Sequence, residues 1–175
     1  MASELSTLGK IEHPHIVRVL DLYEDAESIY IVSELMRHGT LEENLKRIKR
    51  TGAKFTERDA SNLIRQIIIA VNFLHKQGIV HRDLKLDNVM VELERFDDEH
   101  TTMVCKVTDF GFAQKLDPNE KFTLTLGTKL YMAPELIQSQ DYDRSVDIWA
   151  LGVITYCLLT GGKQPFMGST ADEIG

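Results

Sequence analysis

The run IWALGVITYCLL, Ile148 to Leu159, is the feature that leaves this chain the least freedom. A helix needs about 20 apolar residues to cross a bilayer, so this run is too short to span one, and it follows directly on Asp147. A helix that is apolar on nearly every side belongs in the middle of a helical core. Its partner is a second helix starting at Thr56, where TERD is a capping-box-like signature. That helix continues through Leu63, Ile64, Ile67, Val71 and Leu74 to Gly78.

The remaining segments are lighter. Leu5, Leu8 and Ile11 recur every three residues before Pro14, which predicts a short amphipathic helix at the start. HIVRVLDLYED and SIYIVSEL predict two strands of a hairpin joined by the acidic turn EDAES. Gly39 breaks the chain before a short helical period through Leu41, Leu45 and Ile48. NVMVEL and MVCKVTDF predict two more strands, separated by the acidic loop ERFDDEHTT. A few strands first and then mostly helices predict an α+β fold with the two classes segregated.

The chain has 175 residues, 43% of them hydrophobic and 27% charged, which suits one globular domain. Its net charge of -7 argues against nucleic-acid or anionic-membrane partners, which need a positive field. The exception, LKRIKRTGAK with Lys46, Arg47, Lys49, Arg50 and Lys54, is read as the wet face of a helix end. Two cysteines, Cys105 and Cys157, make neither a disulfide framework nor a zinc site, and predict an intracellular, cytoplasmic setting. His13 and His15 flank Pro14 without a third metal ligand nearby and are read as a surface turn.

Chemistry concentrates in three motifs: HRDLKLDN from His81 to Asn88, DFG from Asp109 to Gly111, and APE from Ala133 to Glu135. Each alone is an ordinary turn or helix start; together, in this order, they resemble the signature set of the eukaryotic protein kinases. DIWALGV resembles that family's central large-lobe helix and HPHIV the run after its regulatory helix. DFGFA, YDRSVDIWALGVITYCLLTG and QPF resemble the calcium/calmodulin-dependent group.

The resemblance implies a two-lobed kinase fold, with residues 1–36 a small-lobe remnant and hinge and 37–175 a partial large lobe. It implies a serine/threonine kinase using ATP and Mg²⁺. Asp83 would be the base that meets the acceptor hydroxyl, with Lys85 near the transferred phosphoryl. Asn88 and Asp109 would be the oxygen ligands that Mg²⁺ prefers. Thr128 resembles the threonine that touches both the catalytic aspartate and the lysine, and Asp147 the buried anchor of the catalytic loop. Glu34, Leu35 and Met36 resemble the hinge that meets adenine, with Ser33 at the gate position. Arg82 resembles the arginine that pairs with a phosphate on the activation loop, where Thr123 and Thr125 are both acceptors. Asp87 takes an acidic place that implies protein substrates basic near the site, and the group implies a calmodulin-type regulator outside this chain.

Parts of the pattern are missing. No glycine-rich loop and no lysine strand precede HPHIV, so Glu4, which resembles the helix glutamate that pairs with that lysine, has no partner. The last large-lobe helices are missing too, which predicts an unpaired Glu135 carboxylate, and the hairpin is expected to show an uncovered apolar face. These gaps predict a piece of a longer kinase with weak or no turnover. A catalytically dead interaction module is the rival, favoured by the missing lysine and opposed by intact Asp83, Asn88 and Asp109.

Overall fold

The computed structural model describes residues 11–95, 101–116, 121–123 and 126–166. Its elements are β1 (Val19–Glu24), β2 (Ile29–Ser33), α1 (Leu41–Arg50), α2 (Glu57–Lys76), β3 (Ile79–Val80), β4 (Val89–Arg95), β5 (Thr101–Val107), β6 (Gln114–Lys115), α3 (Pro134–Ile137) and α4 (Ser145–Thr160). Single 3-10 turns cover Leu86–Asn88 and Lys129–Tyr131. The predicted helix through Leu5 and Leu8 falls on residues 1–10, outside those described.

Two capping boxes start the longer helices. Thr56 Oγ1 accepts the Asp59 N–H at 3.1 Å while Asp59 Oδ2 accepts the Thr56 N–H at 3.0 Å. Thr40 and Glu43 do the same for α1, at 3.2 and 3.0 Å. Each cap contributes about 1 kcal/mol by pairing N–H groups that a helix start leaves without acceptors. Helix α2 buries Ala60, Leu63, Ile67, Ala70, Val71 and Leu74, the stripe that three- and four-residue spacing predicts. It meets Ala150, Val153, Ile154, Cys157 and Leu158 of α4 in one core with the inner faces of β4 and β5. Each large aliphatic side chain buried there contributes roughly 1.5–3 kcal/mol.

Helix α4 is covered on one side only by described residues: Ile148, Tyr156 and Leu159 are 57%, 43% and 48% exposed. The expectation of burial all round is corrected accordingly, because α2 reaches one face and the start of α4 joins a second, smaller cluster. That cluster gathers Val80, Phe122, Ala133, Leu136, Tyr142 and Val146.

Both hairpins form. Strand β1 pairs antiparallel with β2, from Val19 against Ser33 to Glu24 against Ile29, but starts at Val19 and not at His15. Asp25 Oδ1 closes the turn by accepting the Glu27 and Ser28 N–H groups. All of β2 is exposed, which bears out the uncovered apolar face. Strand β4 pairs with β5 from Val89 against Val107 to Arg95 against Thr101, so the strands run further into the predicted loop than expected. The chain before β1 joins this second hairpin: Val17 N–H donates to Val107 O and Val107 N–H to His15 O, both at 2.9 Å.

Two smaller expectations also change. His13 and His15 form a turn but are half-buried, with His15 Nδ1 bonded to the Cys105 carbonyl at 3.1 Å and the His13 ring 4.8 Å from Phe73. Glu135 is not unpaired, since Ser145 Oγ donates to its Oε1 at 3.4 Å. The basic stretch of α1 is solvated as read, with Lys46, Arg47, Lys49 and Arg50 all exposed.

Candidate active site

The loop after β3 is held from below by one carboxylate. Asp147, 1% exposed in the first turn of α4, accepts three N–H groups. His75 Nε2 and the His81 amide donate to its Oδ2 at 2.7 and 2.9 Å, and the Arg82 amide donates to its Oδ1 at 2.9 Å. One side chain thus joins the end of α2, the start of α4 and the loop. The His81 ring, fully buried, stands behind the loop as scaffold: its Nδ1 accepts the Asp83 N–H at 3.3 Å and its Nε2 bonds Thr108 O at 3.1 Å.

Asp83 is the centre of the site. Its Oδ2 accepts Lys85 Nζ at 2.7 Å and Asn88 Nδ2 at 3.1 Å, while its Oδ1 accepts Thr128 Oγ1 at 2.9 Å. Lys85 Nζ also donates to Thr128 Oγ1 at 2.9 Å, and Asn88 Nδ2 to the Asp83 carbonyl at 2.8 Å. Asp83 is 5% exposed, so the carboxylate is oriented by three donors with little water around it. Such preorientation is what proton transfer to a positioned base requires. Because Asn88 directs its Nδ2 at Asp83, its Oδ1 is the atom left for an external partner.

The strand register brings the second motif alongside. Asn88 O accepts the Thr108 N–H at 3.0 Å, one residue before Asp109. Asp109 has φ +60°, is exposed, and accepts the Gly111 N–H at 3.2 Å. Gly127 has φ +113°, and a Cβ there would lie 2.8 Å from the Arg82 carbonyl oxygen, so only glycine lets Thr128 reach Asp83.

A model of the protein kinase domain family matches residues 1–175. The chain belongs to the protein kinase family. It is 45% identical over 98% of its length to calcium/calmodulin-dependent protein kinase cmkA of Emericella nidulans. It is 39% identical over 98% of its length to serine/threonine-protein kinase 33 of Bos taurus. Calcium/calmodulin-dependent protein kinase type 1 of Macrobrachium nipponense is 39% identical over 92% of the chain. The chain spans 39%, 35% and 44% of the length of these three relatives.

Kinases of this family generally use ATP and Mg²⁺, and the expected site residues fall as follows. Asp83, Lys85, Asn88 and Thr128 form one network, with Asp109 beside it. Met36 is buried and Leu35 is 75% exposed. The Glu34 side chain is engaged elsewhere: Lys106 Nζ donates to both its oxygens at 2.8 Å, and the Arg18 N–H to its Oε1 at 2.8 Å. Burial pushes the Glu34 carboxyl up, but the hydrogen bonds from Lys106 and the Arg18 amide outweigh it and hold the group below the ordinary glutamate value. A cavity of about 250 Å³ lies between the first hairpin and the DFG turn, lined by Val17, Val19, Ile31, Ser33, Thr108 and Asp109. Thr123 is exposed; Glu4 and Thr125 lie outside the described residues.

Sequence reasoning missed three contributors: Lys106, His75 and the pair Phe122 and Tyr142. Lys106 left one trace, a lysine inside the apolar strand MVCKV. The others left none, because their partners are distant in sequence.

Proposed function

We propose that this chain transfers the γ-phosphoryl group of ATP to serine or threonine hydroxyls of proteins. The observation that carries this reading is the Asp83 carboxylate held by Lys85, Asn88 and Thr128. Asp83 takes the proton of the acceptor hydroxyl as its oxygen attacks phosphorus and ADP departs. Lys85, 2.7 Å from Asp83, holds the base and presents a positive charge to the transferred group. Asn88 Oδ1 and the Asp109 carboxylate are hard oxygen donors, which fits Mg²⁺, an ion that takes few protein ligands and fills its shell with water and phosphate oxygens. Bound there with ATP, Mg²⁺ neutralises phosphate charge. The backbone at Glu34 and Met36 meets the adenine, since the Glu34 side chain is committed to Lys106.

The serine/threonine class is supported by Lys85 two residues beyond the base and by the name of the Bos taurus relative. Exposed Asp87 suits substrates basic near the acceptor. The names of the two calmodulin-dependent relatives support a calmodulin-type regulator, and a cytoplasmic location accords with two unpaired cysteines. The test is transfer of labelled phosphate from Mg-ATP to a mixed serine/threonine peptide pool by the 175-residue chain and its Asp83→Asn variant. The variant is expected to lose about 10²–10⁴-fold in rate. Equal, measurable rates would refute the reading of Asp83 as base, and no transfer by either chain would favour the non-catalytic rival for a chain of this length.

A further inference from the structure

We propose that Phe122 and Tyr142 hold Arg82, and through it the catalytic loop, in place without a phosphate on the activation segment. Arg82 is 8% exposed and has φ +67°, a conformation that persists in a residue with a side chain only where its surroundings over-determine it. Those surroundings come from three separate segments. Arg82 Nε donates to the Phe112 carbonyl at 2.6 Å and Nη1 to the Tyr142 hydroxyl at 3.4 Å. The Phe122 ring lies against the guanidinium, 4.5 Å from carbon to ring centre. Among the described residues no carboxylate pairs with Arg82. A buried guanidinium without an anion needs such partners, and an aromatic face is one of the few that supplies negative potential without charge.

The clamp is itself anchored. Phe122 and Tyr142 exchange two backbone hydrogen bonds, at 2.9 and 3.1 Å, and their rings lie 5.3 Å apart. Both are buried with Val80, Leu136 and Val146. Thr123, next to Phe122 in the chain, is exposed. The effect also reaches the chemistry: the Arg82 carbonyl is the atom against which Gly127 closes, and Thr128 then donates to Asp83 at 2.9 Å. Phe122 and Tyr142 are therefore positioning residues, through which a buried aromatic pair holds Arg82.

The kinetic arm of the test rests on Asp83 acting as the base; the structural arm does not. The full chain, dephosphorylated, is compared with Phe122→Leu, Phe122→Trp and the double variant Thr123→Ala/Thr125→Ala. Amide exchange at Arg82 and Tyr142 and the kcat and KM for ATP are measured. The leucine variant, apolar but without a ring, is expected to speed exchange at both amides about tenfold while α2 stays protected. Its kcat is expected to fall about tenfold with KM for ATP unchanged. The tryptophan variant should keep both within about twofold of the parent, and the double alanine variant should match it. If the leucine variant does not fold, Phe122→Met takes its place. Leucine behaving like phenylalanine would overturn the proposal, as would a phosphate on Thr123 or Thr125 raising kcat more than tenfold. If the chain transfers no phosphate, the exchange rates alone decide for or against the clamp.

Discussion

Asp147→Asn isolates the anchor of the catalytic loop with almost no change in volume. The carboxylate accepts from His75 Nε2, the His81 amide and the Arg82 amide, at 2.7, 2.9 and 2.9 Å. An asparagine has one acceptor oxygen and one NH₂ group. If its oxygen takes the Oδ2 place it keeps His75 and His81, but then sets its NH₂ against the Arg82 N–H. Turned the other way, it loses two bonds and keeps one. The better orientation leaves one buried amide without an acceptor, about 1–3 kcal/mol, and weakens two charge-assisted bonds to neutral ones, about 1 kcal/mol more. The expected loss is about 3 kcal/mol. Asp147→Ala, which removes all three acceptor contacts and leaves a cavity, should lose about 4–5 kcal/mol. Urea unfolding followed by circular dichroism measures both, and with 2–4 °C per kcal/mol at this size the asparagine variant should melt about 10 °C lower. Phosphate transfer should fall further than the unfolded fraction explains, because the surviving folded molecules have a loosened Arg82. An asparagine variant within about 0.5 kcal/mol of the parent would refute the account of Asp147 as a three-way acceptor.

Three further outcomes are expected. Glu34, with its pKa depressed in the folded chain, adds stability that is present above the ordinary glutamate value of 4.5 and lost as pH falls through the lower folded value. Glu34→Gln should therefore flatten the acid limb of a stability-versus-pH curve and leave its slope near neutrality unchanged. Gly127→Ala should lose at least about tenfold in transfer rate, since its Cβ would lie 2.8 Å from Arg82 O and part Thr128 from Asp83; a parent-like rate would refute that close approach. Burial pushes the thiols of Cys105 and Cys157 up to about 12 and about 11, so neither should react with iodoacetamide at pH 8 until the chain is unfolded in urea. Labelling of either in the native chain, read by mass spectrometry, would contradict their burial.

What the sequence made legible was local or repeated in short range. TERD marked the start of α2 because a capping box is complete within four residues, and the apolar spacing that follows names the buried face. HRDLKLDN was readable as chemistry because Asp83, Lys85 and Asn88 share one loop, and the structure brings Lys85 and Asn88 within 3.1 Å of the Asp83 carboxylate. The link from Lys106 to Glu34 joins residues 72 positions apart, and no local rule reports such a pair. The contacts of Arg82 with Phe122 and Tyr142 were not legible, because aromatic residues in a loop carry no sign of which cation they will cover. The exposed side of α4 shows the same limit, since an apolar run says that cover is needed and not where it comes from.

The anchoring of the loop by Asp147 also bears on synthesis. The acceptor of the Arg82 amide lies 65 residues downstream, so a chain growing from its N-terminus makes its catalytic loop well before it makes the group that fixes it. At about 5–20 residues per second the loop waits roughly 3–13 s beyond its own emergence. During that interval α2 can form, with its cap and stripe complete, but His75, His81 and Arg82 have nothing to converge on. The site is thus ordered late, in one step, when α4 leaves the ribosome and docks. A nascent chain arrested before Asp147 should therefore expose this loop to protease.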